Sequence, residues 1–220
     1  MTHLHRPTLS QPGLLFMDMD STLIQCECID EIADFMGIKA QISEITERAM
    51  RGELDFAASL TERVQLLAGL DASVLETVYE KCIKLSDGAE TLIQTLHQHG
   101  WKIGLVSGGF TYFTDKLKTR LNLDFTNANV LEIHDNKLTG GIVGAIVDAQ
   151  SKRHCLIEQA SIFSIPMSQT IAMGDGANDL PMLKEAALGV AFHAKPTVQA
   201  QADVAINQGG LDAVLGYLNT

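Results

Sequence analysis

Asp18 and Asp20 stand two residues apart at the end of a short apolar run, Leu14 to Met17, and the hydroxyls of Ser21 and Thr22 follow at once. Paired carboxylates at that spacing can divide the work of a reaction, one attacking an electrophile while the other moves a proton. Farther along, the run from Gly174 to Asp179, GDGAND, supplies Asp175 and Asp179. Ser107-Gly108-Gly109 supplies a hydroxyl and backbone N–H groups that can hold phosphate oxygens. Lys152 supplies a cation. If the four aspartates crowd together, they cannot all stay ionised unless a positive charge offsets them. Oxygen-only donors select a hard ion such as Mg²⁺. Carboxylate nucleophile, second carboxyl, hydroxyl, lysine and Mg²⁺ site together describe phosphoryl transfer through an aspartyl-phosphate. Taken singly, the signals have plainer readings. GDGAND alone is a tight turn before a helix, Ser-Gly-Gly a turn, and Lys152 a solvated surface lysine.

These residues must be brought together by the elements around them. An apolar run without polar alternation suits a strand buried on both faces, as in a parallel sheet. Leu14 to Met17 predicts one such strand, Trp101 to Val106 a second ending at Ser107, and Thr170 to Met173 a third ending at Gly174. Loops after parallel strands share one edge of the sheet, so the three can converge on one site. A helix from Ser151 to Ala160 puts Lys152 in its first turn. There a lysine opposes the helix dipole, a reason to give it another partner. Helical spacing recurs over residues 28–36, 42–50, 56–67, 74–83 and 87–100 with no strand between, more than one parallel crossover needs. Beyond them the chain alternates: helix 111–121, strands 128–133 and 137–147 about the Asp135-Asn136 turn, helix 180–187, and a strand at 188–191. The expected fold is α/β, a doubly wound parallel sheet with a small helical cap inserted. Residues 1–13 form a flexible leader, 14–23 and 86–220 the core, and 24–85 the cap.

Composition narrows the partners. The 220-residue chain is 46% apolar and carries a net charge of -11 with no basic run, so nucleic acid and anionic membrane are poor partners. No apolar stretch is long enough to span a bilayer, and the polar start lacks the apolar core of a signal peptide, which argues for the cytoplasm. The four cysteines read as reduced thiols there, and Cys26-x-Cys28 without a second such pair argues against zinc.

DMDST at Asp18–Thr22, the Ser107–Gly109 triplet, Lys152 and GDGAND at Gly174–Asp179 resemble, in order and spacing, the four motifs of the haloacid dehalogenase superfamily of phosphatases. The likeness is closest to its phosphoserine-hydrolysing branch and extends from Gly13 onward, through IQCECIDEIA (Ile24–Ala33), ERAMRGELDF (Glu47–Phe56) and SGGFTYF (Ser107–Phe113). It implies a Rossmann-like core and an Mg²⁺-dependent release of L-serine and phosphate from O-phospho-L-serine, the last step of serine biosynthesis, by a monomer or homodimer. By the same resemblance Asp18 is the nucleophile and a metal ligand. Asp20 is the proton donor, with its backbone carbonyl on the metal. Asp175 completes the ligands, with Asp179 behind them. Ser107, Gly108, Lys152 and Asn178 hold phosphate or water. Glu27 faces the substrate's ammonium, Arg63 its carboxylate, and Met50 and Phe56 close over the site. Without the resemblance, Arg63 reads as a helix-surface arginine paired with Glu62 or Glu53, and Met50 and Phe56 as cap core. The nearest rival is the same fold acting on another substrate, or passing the phosphoryl group to an alcohol instead of water. A dehalogenase does not call for Asp20 or the metal cluster, and a silent binding module has no need of so much unpaired charge.

Overall fold

The structure, a computed structural model, describes residues 6–50 and 53–219. Strand β1 (Leu14–Met17) has no solvent exposure at any of its four residues. Burying side chains of this size contributes about 1.5–3 kcal/mol each, so the apolar run fixes the middle of the sheet. An irregular turn, Met19–Leu23, follows, in which Ser21 takes the left-handed conformation at φ 54°. The helices α1 (Cys28–Phe35), α2 (Lys39–Met50), α3 (Phe56–Gln65) and α4 (Ser73–Cys82) come next. Where the chain leaves for these helices and where it returns, it pairs with itself. Gln25 donates to the Lys84 carbonyl at 2.9 Å and Ser86 to the Leu23 carbonyl at 2.9 Å.

Helix α5 (Ala89–Gln98) leads to β2 (Lys102–Phe110), α6 (Thr111–Leu121) and the antiparallel ribbon β3 (Phe125–His134) and β4 (Lys137–Val143). Then come α7 (Ala149–Ile162), β5 (Thr170–Gly174), α8 (Leu180–Glu185), β6 (Leu188–Phe192), the short α9 (Pro196–Gln199) and β7 (Val204–Ile206). The strand order is β4-β3-β2-β1-β5-β6-β7, parallel except for β3–β4. Alternate residues of β1 serve opposite faces. Leu15 and Met17 join a core with α5 and α6, while Leu14 and Phe16 join one with α7 and α8. β1 lies between β2 and β5, so the chain reverses direction across the sheet there, and the carboxyl ends at that point form the natural ligand crevice.

Three elements differ from the sequence expectation. The second strand runs on through Ser107-Gly108-Gly109 to Phe110, with its register on β3 broken between Val106 and Phe110, so the triplet is a bulged strand end and α6 starts only at Thr111. Strand β4 ends at Val143, short of the expected 147. Residues 6–13 are held in place: Leu9 donates to the Asn219 carbonyl at 3.0 Å and Asn219 to the Pro7 carbonyl at 2.9 Å. Among the described residues no helix is long and apolar enough to cross a membrane.

Candidate active site

Asp18 ends β1 inside the sheet's carboxyl edge and is nearly enclosed, at 5% exposure. Its Oδ1 accepts from the Met19 N–H at 2.7 Å, and its Oδ2 meets the Lys152 ammonium at 2.7 Å. Lys152 has no solvent exposure, which removes its reading as a surface lysine. Asp148 caps α7 by accepting from the Ser151 N–H at 2.8 Å, and the helix so started aims Lys152 inward. The same ammonium reaches Asp179 Oδ1 at 2.7 Å, while Asp179 Oδ2 accepts from the Gly176 N–H at 3.0 Å. Burial alone would push Lys152 down, but the carboxylates of Asp179 and Asp18 outweigh it and hold the ammonium above its usual range.

One cation does not balance the cluster. Carboxylate oxygens of Asp18, Asp175 and Asp179 lie within 4.8 Å of one another. Burial and then the Asp179 charge raise Asp18 well above the usual carboxylate range, against the pull of Lys152. The same two causes push Asp175 up to about 6, although Thr22 donates to its Oδ1 at 3.3 Å. Excess negative charge on oxygen-only donors fits a hard divalent cation.

Asp20 sits beside them on the irregular turn. Burial, with the Glu27 carboxylate second, pushes it up to about 7, although the Cys28 N–H donates to its Oδ1 at 3.0 Å. Glu27 itself is exposed and accepts from the Ser21 hydroxyl at 2.6 Å.

The open side is a cavity of about 610 Å³, lined on the core side by Asp18, Asp20, Ser107, Gly108, Asp175 and Asn178, and on the helical side by Glu27, Phe56 and Arg63. Two glycines make the approach possible. A Cβ on Gly108 would stand 2.6 Å from the Phe56 ring, and one on Gly109 2.6 Å from Asp20 Oδ2. Arg63 does not pair with Glu62 or Glu53, both of which are taken by Arg48 at 2.8 and 3.7 Å. Its Nε donates to the Ser59 carbonyl one turn back at 3.3 Å. Burial pulls its guanidinium down, opposed by the charges of Asp30, Glu27 and Asp20. The Met50 side chain lies outside the described residues.

Some of the lining was not singled out from the sequence. Asp30 enters the cavity three residues after Glu27, and that helical spacing was a usable signal. The start of the short α9 contributes Lys195, Thr197 and Val198, for which the sequence carries no motif.

Known proteins resemble the chain over nearly its whole length. A family model for haloacid dehalogenase-like hydrolases matches residues 13–187. A phosphoserine phosphatase of Polaromonas sp. is 51% identical over 212 residues, covering 94% of this chain and 90% of that protein. The crystal structure of a probable phosphoserine phosphatase from Vibrio cholerae superposes with a TM-score of 0.87 at 48% identity, over 96% of this chain and 65% of that one. A substrate-bound phosphoserine phosphatase complex superposes with a TM-score of 0.89 at 39% identity, covering 95% and 99% of the two chains. With its sheet, its aspartate cluster and these likenesses, the chain belongs to the haloacid dehalogenase-like hydrolases, in the phosphoserine phosphatase family.

Proposed function

We propose that the chain hydrolyses O-phospho-L-serine to L-serine and phosphate through an aspartyl-phosphate on Asp18, with Mg²⁺ as its cation. The observation that carries this reading is the contrast within one pair of carboxyls. Both are raised, Asp18 well above the usual range and Asp20 to about 7, but their partners differ: Asp18 is ion-paired with Lys152 inside the aspartate cluster, whereas Asp20 stands apart on the turn and accepts from the Cys28 N–H. Carboxyls with partners as different as these can take different roles, the one beside the cations as nucleophile and the other as proton donor.

In the first half-reaction an Asp18 oxygen attacks phosphorus. The bond from phosphorus to the serine oxygen breaks, and that oxygen takes the proton of Asp20. In the second, water attacks phosphorus and gives its proton to Asp20, and the bond to Asp18 breaks, which restores both groups. The carboxylates of Asp18 and Asp175 with the Asp20 carbonyl would hold Mg²⁺, Asp179 supporting from behind, and the ion would supply positive charge against the phosphoryl oxygens. Lys152 pulls Asp18 toward its ionised form, and the charge of the bound cation would add to that pull. Ser107 and Gly108 donate to phosphate oxygens, and Asn178 binds phosphate or water.

Residues 24–85 act as a cap that supplies specificity. Glu27 faces the ammonium of the substrate and Arg63 its carboxylate, because discrimination of a zwitterion needs a paired charge for each group. Phe56, already against Gly108, excludes water together with Met50. The four cysteines are free thiols, which accords with the cytoplasm, and the site is complete within one chain, whether monomer or homodimer. The test is phosphate release with Mg²⁺ and with EDTA from L-phosphoserine, phosphothreonine, a sugar phosphate and an aryl phosphate. Strong Mg²⁺-dependent preference for L-phosphoserine is expected. Equal use of all four would leave the aspartyl-phosphate chemistry but remove Glu27 and Arg63 as specificity residues. Transfer to added alcohols in preference to water would make the protein a phosphotransferase.

A further inference from the structure

Asn129 lies on β3, is 1% exposed, and faces none of the cavity, yet both ends of its amide are used. Its Nδ2 donates to the Gly108 carbonyl at 2.8 Å, and its Oδ1 accepts from the Val147 N–H at 2.8 Å. The first bond settles the orientation of a peptide in the bulged end of β2. In a planar trans peptide the carbonyl and the following N–H point to opposite sides. With the Gly108 carbonyl drawn toward Asn129, the Gly109 N–H is turned the other way, where it donates to Ser107 Oγ at 2.8 Å. A hydroxyl that accepts on one side has its proton left to donate on another. Ser107 and Gly108 line the cavity beside Asp18, so a proton freed in this way is available to a phosphate bound there. The segment has no regular ladder to hold it, since its register on β3 is broken between Val106 and Phe110. Asn129 on one side and the Ser107 hydroxyl on the other, not the ladder, therefore choose between the two orientations of a peptide joining two glycines.

The second bond reaches the other half of the phosphate site. Val147 precedes Asp148, which caps α7, and α7 carries Lys152. One buried amide therefore ties the Ser107–Gly109 segment to the start of the lysine's helix.

We propose that Asn129 is a positioning residue for phosphate: it sets the Gly108–Gly109 peptide and, through it, the Ser107 hydroxyl. The proposal rests on the phosphatase reading of the same cavity. It is tested with Mg²⁺-loaded wild type, Asn129→Ala and Asn129→Leu, the leucine variant keeping the buried volume. Calorimetric titrations with inorganic phosphate and with L-serine separate the two subsites. Loss of one well-aimed donor to a charged group is expected to weaken phosphate about tenfold or more, with L-serine changed by less than about twofold. Unchanged phosphate affinity, or parallel loss of both ligands, would overturn the proposal, as would failure of both variants to fold. Wild type that binds phosphate but does not hydrolyse L-phosphoserine would instead sink the hydrolase reading and leave Asn129 to be judged by the titrations.

Discussion

Two charged regions of this molecule are built on opposite terms. At the carboxyl edge of the sheet, Lys152, Asp18 and Asp179 have side chains only 1%, 7% and 0% exposed, and every one is already engaged. In the helical segment, Arg48 meets Glu62 and Glu53 with all three side chains at least a third exposed. Arg63, on the same segment, forms no ion pair with any described residue and faces the cavity. Under the proposed function, the charges that would meet any phosphate are paired and dehydrated before a ligand arrives, and Arg63, which would help choose among phosphates, is left for the ligand to complete. Rigidity would then lie where the reaction is common to all substrates, and unmet charge where they differ.

The difference can be broken most completely at the nucleophile. Asp18→Asn should lower turnover at least about 10³-fold and abolish a covalent phosphoprotein trapped at acid pH, because an amide is a poor nucleophile. Normal phosphate release by that variant would remove the mechanism. Next in size is Lys152→Met, which strands two buried carboxylates. Urea unfolding of the metal-free protein should show a loss of about 3–5 kcal/mol. Arg48→Met, cutting the exposed pairs, should cost no more than about 1 kcal/mol. Similar losses for the two would mean that burial does not separate the regions. Arg63→Ala should reduce kcat/KM for L-phosphoserine by about 1.5–3 kcal/mol, from ~tenfold to ~hundredfold, and leave an aryl phosphate nearly unchanged. An equal loss on both substrates would assign Arg63 to the packing of its helix.

The smallest effect is expected away from both regions. Asp124 accepts from Lys102 at 2.7 Å and from the Ile103 N–H at 2.9 Å. Burial would raise its carboxyl, but these donors prevail and hold it below the usual range. A depressed folded value means that the stabilisation is present above the unfolded value near ~3.9 and is lost as pH falls through the folded one. Asp124→Asn should therefore lower the neutral plateau of a stability–pH curve slightly and flatten its acid limb, the two curves converging at low pH.

Which parts were legible in the sequence follows from the range of the forces. Strands β1 and β5 could be read from their apolar runs, and with them the places of Asp18 and Asp175, because burial on both faces leaves a local composition signal. The burial of Lys152 was not readable. Its opposition to the helix dipole hinted at another partner, but nothing local says how deeply distant aspartates draw it in. Arg63 was ambiguous for a related reason: Glu62 and Glu53 were near in sequence, but Arg48 claims both across a turn of chain. Asn129 left no sign, since a lone asparagine in a strand is ordinarily a defect, and only the bulge opposite gives it work.

The crossing at Gln25–Lys84 and Ser86–Leu23 also bears on how the chain finds its sheet. β1 must pair with β2, Leu14 opposite Lys102, across the whole helical excursion. If α1 to α4 form first, the crossing closes that excursion into a loop with its ends side by side. The distance β1 must then search is set by a short residual tether. Loop-closure entropy grows with the logarithm of length, so this ordering spares the sheet about 1 kcal/mol of search at its first pairing. Local helices would set the pace of a topology whose contacts are otherwise remote in sequence.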